Sequence, residues 1–384
     1  MSYRQTEITK VCDFQGGTQP PRSGWREAPA DGYIRMLQIR DFTQGKICHV
    51  VYVKETINLK TCNKDDILIA RYGASIGKIL TGLSGAYNVA LIKTIPDPNK
   101  LSKRFLYYFL NSPKAQNFFN TNSSRAAQAG FNKDDLRRLK IPLIPLTKQD
   151  QFVFQIEKSE SVLEKRRQTI RLADEFLKNT FLDMFGGSGS NLKGFKRKTI
   201  RNLVKKIFNE DPKRFPDKKY SYVDISSVDN QLKKVTNVKR INGVEAPSRA
   251  RQLLQPQDIL VSTVRPNLNA VGILPNSFDN PIGSTGFCVL RANKELVQPE
   301  YLFEICKSPF FIKSLVNVAK GASYPAVSDN DILGLSILLP SLPEQQKFAD
   351  IVQKVERLKE KQKQSETELQ NLFNALMQKA FNRA

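Results

Sequence analysis

From Phe152 to Met184 the chain repeats in alternating steps of four and three: Phe152, Ile156, Ser159, Leu163, Arg166, Ile170, Ala173, Leu177, Thr180 and Met184. All but Ser159, Arg166 and Thr180 are apolar. Such a step keeps one stripe on one side of a helix, which predicts a long helix lying against a partner helix. No Gly or Pro interrupts it, and Gly186-Gly187 stands where helices commonly end. A second stretch, from Pro343 to about Phe381, carries the same stripe at its two ends: Phe348, Val352 and Val355, then Leu369, Phe373 and Leu376. Its middle, Lys359 to Glu368, is nearly all polar. At about 1.5 Å per residue each rod would run about 55 Å. Two rods of equal length in one chain most simply pair, and a chain that runs out along one and back along the other makes them antiparallel. The alternative is that each rod packs only on its own globular unit.

The pattern ahead of each rod is also shared. Short β-branched runs come first, Lys46–Val53, Ile67–Arg71 and Ala90–Thr94, then Tyr222–Ile225, Ile259–Val264 and Phe287–Leu290. Helical patches follow at Lys103–Leu110 and Lys114–Asn120, and again at Glu300–Lys307 and Phe310–Val318. Asn132-Lys-Asp-Asp-Leu136 and Ser328-Asp-Asn-Asp-Ile332 both read as capped helix starts. Tyr3, Ile8 and Val11 find Phe195, Ile200 and Leu203 at a separation of 192, as Asp66–Ile69 finds Asp258–Val261. Leu37-Gln38-Ile39 resembles Val223-Asp224-Ile225. Phe105–Tyr107 matches Tyr301–Phe303, and IPLIPLTKQDQF (141–152) matches ILLPSLPEQQKF (337–348), both at 196. An ordered series whose offset changes only between segments is a duplication with insertions in loops. The expected fold class is therefore α+β: two pseudo-symmetric mixed α/β domains joined by two long antiparallel helices forming a coiled coil. The expected segments are 1–147, 148–186, 187–342 and 343–384, with Gly186–Ser190 as a flexible linker.

Charge narrows the class. Sixty Lys and Arg face 37 Asp and Glu over 384 residues, a net charge of +23. That imbalance favours a polyanionic partner, most often nucleic acid. The basic residues are dispersed and flank no apolar helix face, so no membrane partner is expected. No run approaches a membrane span, and MSYRQTEITK has no apolar signal region. The five Cys (Cys12, Cys48, Cys62, Cys288 and Cys306) form no CxxC pair. Disulfides and a thiolate zinc site are not expected, and a reducing cytoplasm is the expected compartment.

Catalytic chemistry finds little to stand on. The one histidine, His49, reads as a structural residue at a strand edge. Gly73-Ala-Ser-Ile-Gly77-Lys78 follows a predicted strand like a phosphate loop. It is one residue short, has Ile79 where a magnesium-binding Ser or Thr belongs, and precedes no long helix; it reads as a glycine turn. There is no GxGxxG, and Gln19-Pro20-Pro21-Arg22 lacks the Asn or Asp and the aromatic of an amino-methyltransferase motif. The chain reads as non-catalytic, with no metal site and no cofactor of its own.

A duplicated basic unit on two rods fits a nucleic-acid reader. Phosphate contacts supply affinity, and base-edge contacts from Arg, Lys, Asn, Gln, Ser and Thr supply sequence. In the first unit the candidates at strand ends and turns are Gln38, Arg40, Arg71, Tyr72, Ser75, Lys78, Arg125 and Gln128. In the second they are Ser226, Arg249, Arg251, Thr263, Arg265, Asn267, Asn269, Lys320 and Tyr324. The framework aligns between the halves, yet these loops do not: Arg71-Tyr-Gly-Ala-Ser75 faces Val264-Arg-Pro-Asn-Leu268. One scaffold with two different loop sets predicts a split, asymmetric DNA target.

The repeated framework, with its IPLIPLTKQDQF and ILLPSLPEQQKF turns into long helices, resembles the specificity subunit of type I restriction-modification systems over essentially the whole chain. By that resemblance each globular unit is a target-recognition domain on double-stranded DNA. The rods become conserved regions that form an antiparallel coiled coil and dock two methyltransferase subunits, and restriction/translocase subunits join that core. S-adenosylmethionine, ATP and Mg are then expected in the partner subunits only. Two other readings stay open. One is the specificity chain of a type II-like system with a fused methyltransferase-nuclease. The other is a coiled-coil scaffold for acidic proteins. Polar seam positions such as Ser159 and Arg166 are expected to fix the helix register. The outward faces, with Glu164, Lys165, Arg166 and Arg167, are expected to meet the partner enzyme.

Overall fold

The computed structural model describes residues 3–45, 49–123, 130–186, 191, 193–321 and 323–381. It is a mixed α/β protein of two compact units, Met1–Arg167 with Gln364–Ala384, and Gln168–Lys363. Each unit therefore takes part of both long helices, Leu146–Phe185 and Leu342–Phe381.

In the first unit one four-stranded antiparallel sheet runs in the order Cys12–Gly16, Leu91–Pro96, Leu68–Ala70, Ile79–Leu80. A second runs Tyr52–Lys54, Tyr33–Leu37, Gly85–Tyr87, Thr61–Cys62, with a parallel pair at its centre. Gln5–Glu7 pairs with Lys140–Pro142 as a separate ribbon. The second unit repeats this connectivity. Val204–Lys205, Phe287–Ala292, Ile259–Ser262 and Val271–Ile273 take the first order, extended by Lys234–Val235 and Val228–Asp229. Lys239–Asn242, Lys219–Val223, Pro281–Ser284 and Ala250–Leu253 take the second, again with a parallel central pair. Lys196–Thr199 pairs with Ser336–Leu339.

The repeated sequence signals have matching structural roles. Asn132 and Ser328 form capping boxes with Asp135 and Asp331, opening the short helices Lys133–Leu136 and Asp329–Leu333. The shared turn into each rod is held by a buried glutamine. Gln149 accepts from Ser102 N at 2.9 Å and donates to the carbonyls of Lys100 (2.7 Å) and Ile144 (2.9 Å). Gln345 accepts from Gln298 N and donates to Pro340 O, both at 2.9 Å. Burying an amide is tolerable only with such partners, so each glutamine locks its rod to the domain below.

Each rod is also anchored by aromatics. In the first unit Phe381 packs 5.0 Å from Phe105 and 5.7 Å from Phe109, in one core with Phe152 and Ile156. In the second, Phe185 lies 4.9 Å from Tyr301 and 5.7 Å from Phe348. Phe181 and Phe185 are buried although they lie off the predicted stripe, because the sheet-side helices cover that flank as well. Gly186 takes φ +76° and its N–H reaches Leu182 O at 2.7 Å, as a helix-ending glycine should.

Within the first unit Phe152, Ile156, Ser159 and Leu163 are buried and Arg166 half-buried, while Leu369, Phe373 and Leu376 are half-buried on the other helix. Arg167 donates to Glu366 at 2.8 Å and to Gln370 at 3.4 Å, so it bridges to the second helix with its side chain about half exposed. Within the second unit Leu177 and Phe348 are buried, and Ile170, Met184, Val352 and Val355 half-buried. The four-three step continues through the polar middle: Lys359 is only 6% exposed, and Gln362 and Glu366 are half-buried. In both units contacts pair rising numbers on one helix with falling numbers on the other, so the helices run antiparallel there.

One local expectation needs correction. His49 lies outside any strand, exposed, with Nε2 3.2 Å from Glu27; the strand begins only at Tyr52. Residues 46–48, with Cys48, lie outside the described residues, as do 187–190 of the expected linker. Gly73–Lys78 is the glycine turn expected of it: Gly73 and Gly77 have φ of +68° and +77°, and strand Ile79–Leu80 follows.

Candidate nucleic-acid interface

In the first unit the segment Tyr87–Leu91 ties the two larger sheets together at one end. Leu37 O accepts from Asn88 N at 3.1 Å, and Ala90 O from Arg71 N at 3.0 Å. Gly17 N donates to Leu91 O (3.1 Å) and Thr18 N to Tyr87 O (3.0 Å). The chain thus exits one strand at Gln38 and another at Arg71, both beside this segment. Gly17 is required there, since a Cβ would sit 2.1 Å from Asn88 O. Gly17→Ala should push Thr18 and Asn88 apart and cost about 1–3 kcal/mol, as overpacking does. Urea unfolding checks it, and an unchanged midpoint would refute the close approach.

Around this end the side chains are rich in donors without acceptors. Asp41 is buried, accepts from Gln38 N at 2.9 Å, and pairs with Arg35 at 2.7 Å. The Nε atoms of Arg35, Arg40 and Arg71 and the Nε2 of Gln38 are buried without a hydrogen-bond partner. They are four of the five such side-chain atoms among the described residues. Buried donors are normally satisfied, so their concentration at this end is a cost that the fold carries there. The Arg71 guanidinium stands 4.8 Å over the Tyr72 ring. Ser75 is half-buried in the turn after Tyr72, and Lys78 is exposed beyond it. Arg125 and Gln128 lie outside the described residues.

The second unit builds the equivalent end differently. Arg265 and Asn269 both adopt left-handed backbone, φ +51° and +47°, on either side of the turn Pro266–Leu268. For residues with a Cβ this costs about 1 kcal/mol or more each, a strain that clusters at functional positions. The Arg265 guanidinium stacks 4.7 Å over Tyr324, whose ring is 69% exposed. Both line a cleft of about 370 Å³ together with Ile225, Ser226, Val264 and Leu268. Ser226 donates to Asp224 at 2.5 Å. Burial alone would raise the Asp224 carboxyl, but its bonds from Lys239 and Ser226 outweigh that and hold it below the usual range.

Not every candidate is available to a ligand. The Thr263 hydroxyl donates to Gly286 O at 2.9 Å, and Arg251 donates to Ala250 O at 2.9 Å and pairs with Asp211 at 3.3 Å; both are engaged within the fold. Asn269 Nδ2 reaches Lys307 O at 3.4 Å. Arg249, Asn267 and Lys320 are exposed, and the Lys320 backbone pairs with Ala326. Ser226, Arg265 and Tyr324, distant in sequence, meet in one cleft. Asn230 also lines that cleft, and in the first unit Arg35 stands with Gln38, Arg40 and Arg71 among the unpartnered donors, although no residue pattern marks either in the chain. Among the described residues no three His, Cys, Asp or Glu gather as a metal site needs, and no helix is long and apolar enough to cross a membrane.

Comparison with known proteins places this architecture. The family profile described as "Type I restriction modification DNA specificity domain" matches twice, at residues 3–172 and 193–371. The chain is 24% identical over 306 residues to a putative type I restriction enzyme MjaX specificity subunit of Methanocaldococcus jannaschii, covering 76% of this chain and 69% of that one. It is 22% identical over 365 residues to the MjaVIII specificity subunit of the same organism, covering 90% and 84%. Among solved structures, the type I restriction-modification S subunit from M. genitalium superposes with a TM-score of 0.58 at 15% identity, over 99% of this chain and 96% of that one. At that identity the last likeness speaks for the fold alone.

Proposed function

This chain belongs to the type I restriction-modification DNA specificity family, and we propose that it reads a two-part DNA target and serves as the platform on which methyltransferase and restriction subunits assemble. The observation that carries this reading is the double match of one specificity domain to a chain whose two units share a four-strand order in each sheet, extended by two strands in one sheet of the second. Each unit is then a target-recognition domain for one half of the target. Different side chains at equivalent sheet ends make the two halves different sequences. The half-buried stripes on the long helices support a coiled coil between the units, with the units related by a pseudo-two-fold. Two methyltransferase subunits dock on that frame, and restriction/translocase subunits join it. S-adenosylmethionine, ATP and Mg are bound by those partners. Neither the type II-like arrangement nor the protein-scaffold reading has an observation in its favour.

Methylome sequencing of cells carrying this chain with its methyltransferase partner tests the reading. A split adenine motif is the expected outcome, and its absence in a culture that makes both subunits would refute it. Salt dependence gives a second check. A reader that neutralises six or more phosphates should lose about a thousandfold in affinity between about 50 and 200 mM salt. A flat response on duplex DNA would favour an acidic protein as the partner.

A further inference from the structure

Both units place an arginine guanidinium over a tyrosine ring where equivalent strands of the first sheet end. In the first unit Arg71 and Tyr72 follow Leu68–Ala70 directly. In the second, Arg265 comes three residues after Ile259–Ser262, and its tyrosine, Tyr324, comes from a different segment. Equivalent backbone bridges stand beside both stacks, Tyr72 with Gly130 and Val264 with Ala326. The two stacks are thus built from non-equivalent positions and stand at equivalent places within their own units.

Stacking fixes what a flexible arginine lacks. A ring face about 4.7 Å from the guanidinium holds its plane, leaving the two terminal N–H groups at its edge to point as a fork. A fork matches the O6 and N7 of guanine; a phosphate also accepts a fork but takes a point cation such as Lys as well, so an Arg-to-Lys change separates the two. Among the described residues the buried Arg71 Nε has no hydrogen-bond partner, and the Arg265 backbone is left-handed. Resting on the DNA-reading function above, we propose that Arg71 and Arg265 each read one guanine, one in each half of the target, with Tyr72 and Tyr324 as positioning residues.

The test uses the full chain assembled with its partner subunits, bound to a pool of randomised duplex DNA that is then sequenced. The parent complex should enrich a two-part motif with a fixed G·C pair in each half. Arg71→Ala should relax one of these pairs and Arg265→Ala the other, each by about 5- to 150-fold in discrimination. Arg71→Lys and Arg265→Lys keep the charge and should relax the same pairs while binding unselected DNA at low salt as the parent does. These Lys variants decide the matter if an Ala variant fails to fold. Tyr324→Phe should keep the motif and Tyr324→Leu blur it at the Arg265 pair alone, which a general loss of stability would not do. A motif left intact in all Arg variants would overturn the proposal. So would a uniform fall in affinity with a shallower salt slope, which marks a phosphate contact. If the parent complex enriches no motif, the DNA-reading function itself fails and the proposal with it.

Discussion

Exchanging residues 1–145 for the corresponding segment of a relative with a different target should change one half of the methylated sequence and leave the other half and the gap as they were. The exchange ends at Pro145, immediately before the first long helix, so both rods and their turn glutamines remain. Every described candidate of the first unit, from Gln38 through Lys78, travels with the exchanged segment, and every candidate of the second stays behind. Each base pair read incorrectly costs about 1–3 kcal/mol, so a wholly replaced half-site removes most of the specific affinity for the original target. The chimera should therefore leave the parental site unmethylated while methylating a hybrid one. Two conditions accompany this expectation. The donor segment must supply aromatics against Phe381, because Phe105 and Phe109 leave with the exchange. It must also supply a backbone partner for Gln149, whose bonds to Lys100 and Ser102 cross the junction. A chimera that folds yet changes both halves, or neither, would refute the assignment of one half-site to each unit.

What the sequence made legible was whatever repeats or has a short-range cause. The duplication, the rod lengths and the caps at Asn132 and Ser328 all follow from periodicity and local hydrogen bonding, and the observed elements agree with them. The parallel central pairs, Tyr33–Leu37 with Gly85–Tyr87 and Lys219–Val223 with Pro281–Ser284, were not legible, because they join segments about 50 or more positions apart with no shared pattern. The same holds at the candidate interface. Arg71 and Arg265 could be named from residue type and loop position, but the pairing of Arg265 with Tyr324 depends on a bridge between remote segments. Thr263 and Arg251 look like readers by type, and only their bonds to Gly286, Ala250 and Asp211 show them engaged at home. Lys359 was hidden for the opposite reason. A lysine in a polar run reads as solvated, yet the four-three step carries it onto the seam and buries it.

That buried lysine should be the most sensitive charged position on the rods among the described residues. In the second unit its Nζ lies 2.5 Å from Asp174 on the first helix and 2.6 Å from Glu356 on its own, and Glu356 also pairs with Lys234 of the domain at 3.1 Å. Lys359→Ala removes the stem from the seam and breaks both ion pairs, and should cost about 2–4 kcal/mol in urea unfolding. Lys359→Met keeps the stem, while Glu356 retains Lys234 and Asp174 remains largely exposed, so its cost should stay within about 1 kcal/mol. Any penalty for Met should appear as lost uniqueness of helix pairing, seen as extra oligomeric species, because a polar seam residue fixes register at some expense of stability. The pH dependence has a definite sign. Burial pushes the Glu356 carboxyl up, but the Lys359 bond and the Lys234 charge outweigh it and hold the carboxyl low. Its contribution is thus complete above the ordinary glutamate value of about 4.3 and fades as pH falls through the lower folded value. Burial pulls the Lys359 amine down, but Asp174 and Glu356 outweigh it and hold the amine high, so its contribution is complete below about 10.4 and fades only as pH rises through the raised folded value. Between these limits the stability gap separating parent and Ala variant should be flat, and it should narrow in acid as Glu356 takes up its proton. A gap that closes near neutral pH, or a Met variant as unstable as the Ala one, would mean that the ion pairs do not hold the helices in register.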